Sequence, residues 1–198
     1  IIHGESNIPE AHGKIKRLFT DPQNCRALPD VIEAIRDAEL IILGPGSLYT
    51  SVTPNLLIKE IAHEIAVSKA KKIYVCNIMT QPGETDGYSV SDHINALVTH
   101  AGSKKIIDAV LVNDFMPSNL AQKYQLSGSY PVKIDVENIR KMGFSIFSRK
   151  LIEDSKEGLV RHSSNRVARA IYYWFRKKQK GEKIKPSAKL AEKQGCAV

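Results

Sequence analysis

Apolar runs and helical patterns alternate along this chain. Ile1 to Gly4 reads as the end of a strand, and Lys14 to Phe19 as a short strand of alternating polar and apolar positions. Pro29 and Asp30 start a helix running to about Ala38, with Val31, Ile32, Ala34 and Ile35 on one face. Glu39 to Leu43 has the pattern of a strand covered on both faces, and it stops at Gly44-Pro45-Gly46-Ser47. A long helix is expected from about Pro54 to Lys69, with Pro54 in its first turn and Thr53 as its cap. Ile73 to Ile78 is the next buried strand, and Met79 to Ser89 a polar loop. A helix from Ser91 to Ala101 follows, with Ser89 or Ser91 near its cap, and then an apolar strand from Ile107 to Val112 that ends at Asn113-Asp114. Beyond it the pattern predicts a short helix at Asn119 to Tyr124, a short strand at Val132 to Ile134 and a helical turn at Val136 to Met142. Phe144 to Ile152 reads as an edge strand, and Asn165 to Lys178 as a strong helix whose apolar face includes Val167, Ala170, Ile171 and Trp174.

Strand then helix, repeated, predicts an α/β fold of the Rossmann-like kind: a mainly parallel sheet with helices on both faces. Right-handed crossovers place the loops after Leu43, Ile78 and Val112 at one edge of that sheet. Ligands of open α/β sheets bind at that edge.

Composition narrows this picture. The 198 residues suffice for one domain, and no apolar run is long enough to span a bilayer. Three cysteines at long spacings, with no C-x-x-C, argue against a disulfide framework and against structural zinc, and fit a reducing cytoplasm. Cys76 lies in a strand-like run and is expected to be a buried thiol. The formal charge of +8 is concentrated at the end, where eight Lys or Arg from Arg176 onward face only Glu182 and Glu192. Residues 1–175 are therefore expected to form the folded body and 176–198 a basic, flexible tail. Nucleic acid is not an expected partner, although such a tail would attract anions.

Three strand-end segments carry candidate chemistry. In Gly44-Pro-Gly-Ser-Leu-Tyr-Thr-Ser51, glycines allow backbone N–H groups close to an anion, and hydroxyls add donors. Gly44, Gly46, Ser47, Tyr49 and Thr50 are the candidates there, against the alternative of a tight turn with no ligand. The second segment, Cys76 to Thr85, crowds Asn77, Thr80, Gln81, Glu84 and Thr85 after a buried strand. The third places Asn113 and Asp114 at the end of another strand, where Asx-turn chemistry is the competing explanation. A fourth feature, Leu159 to Arg166, sets Arg161, His162 and Arg166 near a helix start, a candidate phosphate site. Tyr130 lies in a Ser-Gly-Ser-Tyr-Pro loop and offers a ring to stack on a base or sugar. The six histidines are scattered and H-E-x-x-H is absent, so no metal site is expected. Gly-x-Ser-x-Gly fails because Tyr49 stands at the last position, so no catalytic serine is assigned.

Taken together, Gly44-Pro-Gly-Ser-Leu-Tyr-Thr-Ser51 with Pro54-Asn-Leu-Leu, Cys76-Asn-Ile-Met-Thr-Gln-Pro-Gly-Glu-Thr85 and Val112-Asn-Asp-Phe115 resemble the gluconeogenesis factor (YvcK-like) family. Gly4-Glu-Ser-Asn-Ile-Pro9 matches that family's pattern too. The family is related to 2-phospho-L-lactate transferase (CofD-like), and the resemblance covers nearly all of Ile1 to Phe175.

The resemblance implies a bacterial cytoplasmic protein that binds a nucleotide sugar of the UDP-N-acetylglucosamine type. It implies a regulatory role in carbon-source adaptation and cell-wall morphogenesis, with no established reaction; no cofactor is expected. Homo-oligomerisation is left open. By position, Tyr130 and Arg166 look like the Tyr and Arg that similar members contribute from their C-terminal third. A phospho-group transferase is the alternative, with Glu84 and Asp114 as its strongest carboxylates. The family's Gly-Gly-Gly-Thr-Gly type loop is absent from this sequence, so the residues here are expected to form part of a larger site.

Overall fold

The computed structural model describes residues 1–4, 6–11, 13–153, 160–182 and 184. Four parallel strands in the order β1-β2-β3-β4 form its sheet: β1 (Leu40–Leu43), β2 (Lys71–Val75), β3 (Ala109–Asn113) and β4 (Ser145–Arg149). The register pairs Leu43 with Tyr74, Val75 with Leu111 and Asn113 with Arg149, so the strands end together along one rim. The helices in chain order are α1 (Asn7–Glu10), α2 (Pro29–Asp37), α3 (Thr53–Leu57), α4 (Lys59–Val67), α5 (Val90–Ala101), α6 (Ser118–Gln125), α7 (Val136–Lys141) and α8 (Ser164–Gln179).

Alternation along β2 and β3 divides the core. Tyr74, Cys76, Val110 and Val112 pack with α3, α4, α5 and α7 residues such as Leu56, Ile65, Leu97 and Ile139. Ile73, Val75, Ala109 and Leu111 point the other way, onto Val167, Ala170, Ile171 and Trp174 of α8. Helices on both faces of a parallel sheet are what the strand–helix alternation predicted. Helix α5 starts with a full capping box: Ser89 Oγ accepts from Asp92 N–H, and Asp92 accepts from Ser89 N–H. No helix among the described residues is long and apolar enough to cross a membrane.

Several expectations are corrected. Neither Ile1 to Gly4 nor Lys14 to Phe19 is a strand, because no neighbouring strand offers them a ladder. The latter is an extended strap, with Leu18 N–H donating to His100 Nε2 on α5 at 3.0 Å. β1 is not covered on both faces: it lies at the sheet edge, and Ile42 is 45% exposed. The long helix expected from Pro54 is two pieces, α3 and α4, preceded by a π-helical turn. A π-helical turn spans Leu48–Val52, α3 follows with Val52 rather than Thr53 as its cap, and Ile58 leaves helical backbone (φ −75°, ψ 103°) before α4. Val132 to Ile134 is not a strand either; Pro131 and Lys133 make only single bridges, to Met79 and Ser89. Of the expected tail, residues 183 and 185–198 lie outside the described residues, while 176–179 belong to α8, which continues to Gln179.

Candidate functional site

The rim is built from the loops that leave β1, β2 and β3. After β1 the chain turns at Gly44, whose φ of +81° and position against Val75 O leave no room for a side chain: a Cβ would sit 3.0 Å from that oxygen. At Gly46 a Cβ would meet Ser51 Cβ at 3.1 Å. The Ser47 carbonyl then accepts from both Ser51 and Val52 N–H at 3.0 Å, which widens the first turn into a π-helix. Ser47 is left half-buried at the mouth of this turn.

The loop after β2 reaches back across to it. Gln81 Nε2 donates to Ser47 Oγ at 2.8 Å, and Asn77 Nδ2 donates to Gln81 Oε1 at 3.1 Å. Thr50 Oγ1 donates to Glu84 Oε1 at 3.2 Å, a second bridge between the same two loops. Ser47, Thr50, Asn77, Gln81 and Glu84 thus form one polar patch at the ends of β1 and β2. Asn77 Oδ1 is buried in it without a hydrogen-bond partner among the described residues.

Other candidates are placed differently. Tyr49 is 3% exposed in the core; its hydroxyl shares a 2.8 Å bond with Tyr88, and burial first, then that bond, push its pKa up. Thr80 is buried and holds the 129–131 segment: its N–H donates to Tyr130 O at 2.7 Å, its Oγ1 accepts from Tyr130 N–H at 2.9 Å, and its carbonyl accepts from Ser129 Oγ. That clamp leaves the Tyr130 ring exposed. Asn113 ends β3 with its side chain turned onto backbone, Nδ2 donating to Phe115 O at 2.6 Å and Oδ1 accepting from Leu151 N–H at 2.9 Å. Asp114, beside it, is half-buried, and its N–H donates to Arg149 O at 3.2 Å.

The start of α8 stands at this end of the sheet, since Ser163 N–H donates to Leu151 O at 2.8 Å. Ser163 caps the helix without a side-chain bond. Arg166 lies in its first turn, half-buried, and Arg161 is exposed. His162 differs from its expected role: burial lowers its pKa against a backbone bond to Cys76, so the neutral ring is favoured and the positive charge here belongs to the arginines. Cys76 is the buried thiol its sequence context predicted, pushed up to about 12 by burial.

Gln81 is not singled out by the sequence from the polar residues around it. It was visible as one of several polar residues after β2, but its contact with Ser47 spans 34 positions and has no local signal. Two cavities, of about 300 and 1120 Å³, flank the Lys14–Thr20 strap instead of the rim.

An open parallel sheet with helices on both faces and polar loops gathered at its C-terminal rim defines a Rossmann-like α/β protein. The family model described as 2-phospho-L-lactate transferase CofD matches residues 1–152, and the chain belongs to that family. It is 44% identical over 169 residues to the gluconeogenesis factor of Bacillus subtilis, covering 85% of this chain and 53% of that protein. To the gluconeogenesis factor of Halalkalibacterium halodurans it is 40% identical over 171 residues, covering 86% and 53%. A crystal structure of a UPF0052 family member from Bacillus halodurans superposes with a TM-score of 0.81 at 41% identity, covering 86% of this chain and 55% of that one. The chain spans about half the length of these relatives.

Proposed function

We propose that the rim binds a nucleotide sugar of the UDP-N-acetylglucosamine type, in a cytoplasmic regulatory protein needed for growth on gluconeogenic carbon sources and for cell-wall morphogenesis. The observation that carries this reading is the hydrogen-bonded line Asn77–Gln81–Ser47, which ties the loop after β2 to the Gly-Pro-Gly-Ser turn after β1. Gly44 and Gly46 keep that turn free of side chains, as a backbone anion cradle requires. Tyr130, exposed on its Thr80 clamp, supplies a stacking surface, and Arg166 in the first turn of α8 supplies charge. Two relatives named gluconeogenesis factor support the gluconeogenic part of the proposal.

Calorimetry with UDP-N-acetylglucosamine tests it. Saturable binding is expected for the wild type, and Ser47→Asp, which sets a carboxylate against the phosphates, should abolish it. Equal affinity in the two proteins would remove Ser47 from the site, and no binding by the wild type would overturn the reading.

The family model's description favours a second reading, transfer of a phospho-group from a nucleotide conjugate. Asp114 and Glu84 are the carboxylates such chemistry would use. Turnover that disappears in Asp114→Asn would favour transfer over binding alone.

A further inference from the structure

A serine hydroxyl both donates and accepts, so what Ser47 offers a ligand depends on its neighbours. Gln81 is the neighbour that decides. Its Nε2–H occupies a lone pair of Ser47 Oγ, and its Oε1 is engaged by Asn77 Nδ2. The Gln81 backbone is fixed as well: its N–H donates to Thr85 Oγ1 at 2.9 Å, and its carbonyl accepts from Glu84 N–H at 3.0 Å and Thr85 N–H at 2.9 Å. Thr85 is fully buried, so this small turn is anchored in the body of the protein.

The amide therefore reaches Ser47 from a fixed base with its oxygen end held. Every hydrogen bond in the line points the same way, from Asn77 through Gln81 to Ser47. Bonds in such a row polarise one another. The Ser47 proton takes no part in the line and is left for another acceptor, such as a ligand oxygen.

We propose that Gln81 is a positioning residue that biases Ser47 toward acting as a hydrogen-bond donor, so that the turn favours a ligand presenting a phosphate oxygen over one presenting an ammonium or amide N–H. This rests on the nucleotide-sugar reading for the identity of the ligand. It assigns to Gln81 a role that acts only through Ser47.

The test is a double-mutant cycle read by calorimetry, with UDP and with inorganic pyrophosphate as separate probes. Gln81→Met keeps the length of the side chain and removes the donor. Gln81→Glu keeps the shape but accepts the Ser47 proton and adds negative charge. Expected losses are about 5-fold for Gln81→Met, about 10-fold for Ser47→Ala and on the order of 100-fold for Gln81→Glu. In the Ser47→Ala background, Gln81→Met should change affinity less than about 2-fold, because the group it acts through is gone. Equal losses from Gln81→Met with and without Ser47 would overturn the relay while leaving the site intact. Binding of pyrophosphate but not UDP would overturn the nucleotide reading, with the pyrophosphate cycle still deciding the relay. Binding of neither probe by the wild type would overturn both. Thermal melts of each variant without ligand separate misfolding from lost affinity, and Gln81→Glu is the second variant should Gln81→Met fail to fold.

Discussion

Asn77 and Asn113 end neighbouring strands at the same rim, yet they do different work. Asn77 bonds to another side chain, and its line of amides ends at a half-exposed hydroxyl. Asn113 spends both ends of its amide on backbone, tying Phe115 and the fully buried Leu151 to the end of β3. The same division runs through their surroundings. On the β1–β2 side, Ser47, Thr50, Gln81 and Glu84 meet each other. On the β4 side the cations rest on rings, Arg149 over Phe147 at 4.3 Å and Lys150 over Phe115 at 4.5 Å. One half of the rim joins polar side chains to one another, and the other uses them to hold its own backbone.

If that division is right, mutations on the two sides should separate stability from binding. The largest effect on stability is expected from Asn113→Leu, which keeps the volume but strands the buried Leu151 N–H and the Phe115 carbonyl. A loss of about 3 kcal/mol in urea unfolding is expected, from one to two unsatisfied groups. A loss below about 1 kcal/mol would show that Asn113 is as dispensable to the fold as its counterpart on β2. Next is Thr80→Val, which leaves the Tyr130 N–H without its acceptor and should cost about 2 kcal/mol, with Tyr130 fluorescence changing as its clamp loosens. Gln81→Met, on the β1–β2 side, should cost under about 1 kcal/mol, since both its bonds join half-exposed side chains. A larger loss would make the polar patch structural.

The smallest effect concerns pH. Burial lowers the pKa of both His93 and His162, and in each case a backbone hydrogen bond offsets part of the shift. In the folded state both rings therefore bind fewer protons than in the unfolded chain just below the usual histidine value of about 6.5. Stability from this source is complete above that value and declines as pH falls through the lowered pKa. The melting temperature should drop between about pH 7.5 and about pH 5.5, and the drop should shrink in His162→Gln. A melting temperature that is flat or rises on acidification would contradict the assignment of neutral rings.

Much of this fold is legible in the chain because burial and punctuation coincide. β2 and β3 read as apolar runs, Ser89 stands where the start of α5 needs a cap, and the apolar face of α8 repeats at helical spacing. Failures came where a local pattern depends on a distant partner. Lys14 to Phe19 alternates like a strand, but alternation does not supply a neighbour, and the segment crosses α5 on a histidine instead. Tyr49 sits two residues from Ser47 and looked like part of the site, yet the π-helical turn rotates it into the core. Within the site, the glycines and Ser47 were visible because turn geometry is local. Gln81 was not singled out, because its meaning arises from a contact between two loops.

The central claim is that the β1–β2 half of the rim receives the phosphates of a nucleotide sugar. Titrating UDP-N-acetylglucosamine into isotope-labelled protein and following amide and side-chain amide NMR signals tests it most directly. The account predicts saturable shifts concentrated at Gly46, Ser47 and Asn77 and at the Gln81 side-chain amide. Shifts confined to the Lys14–Thr20 strap and α5, or no shifts at any ligand concentration, would contradict it.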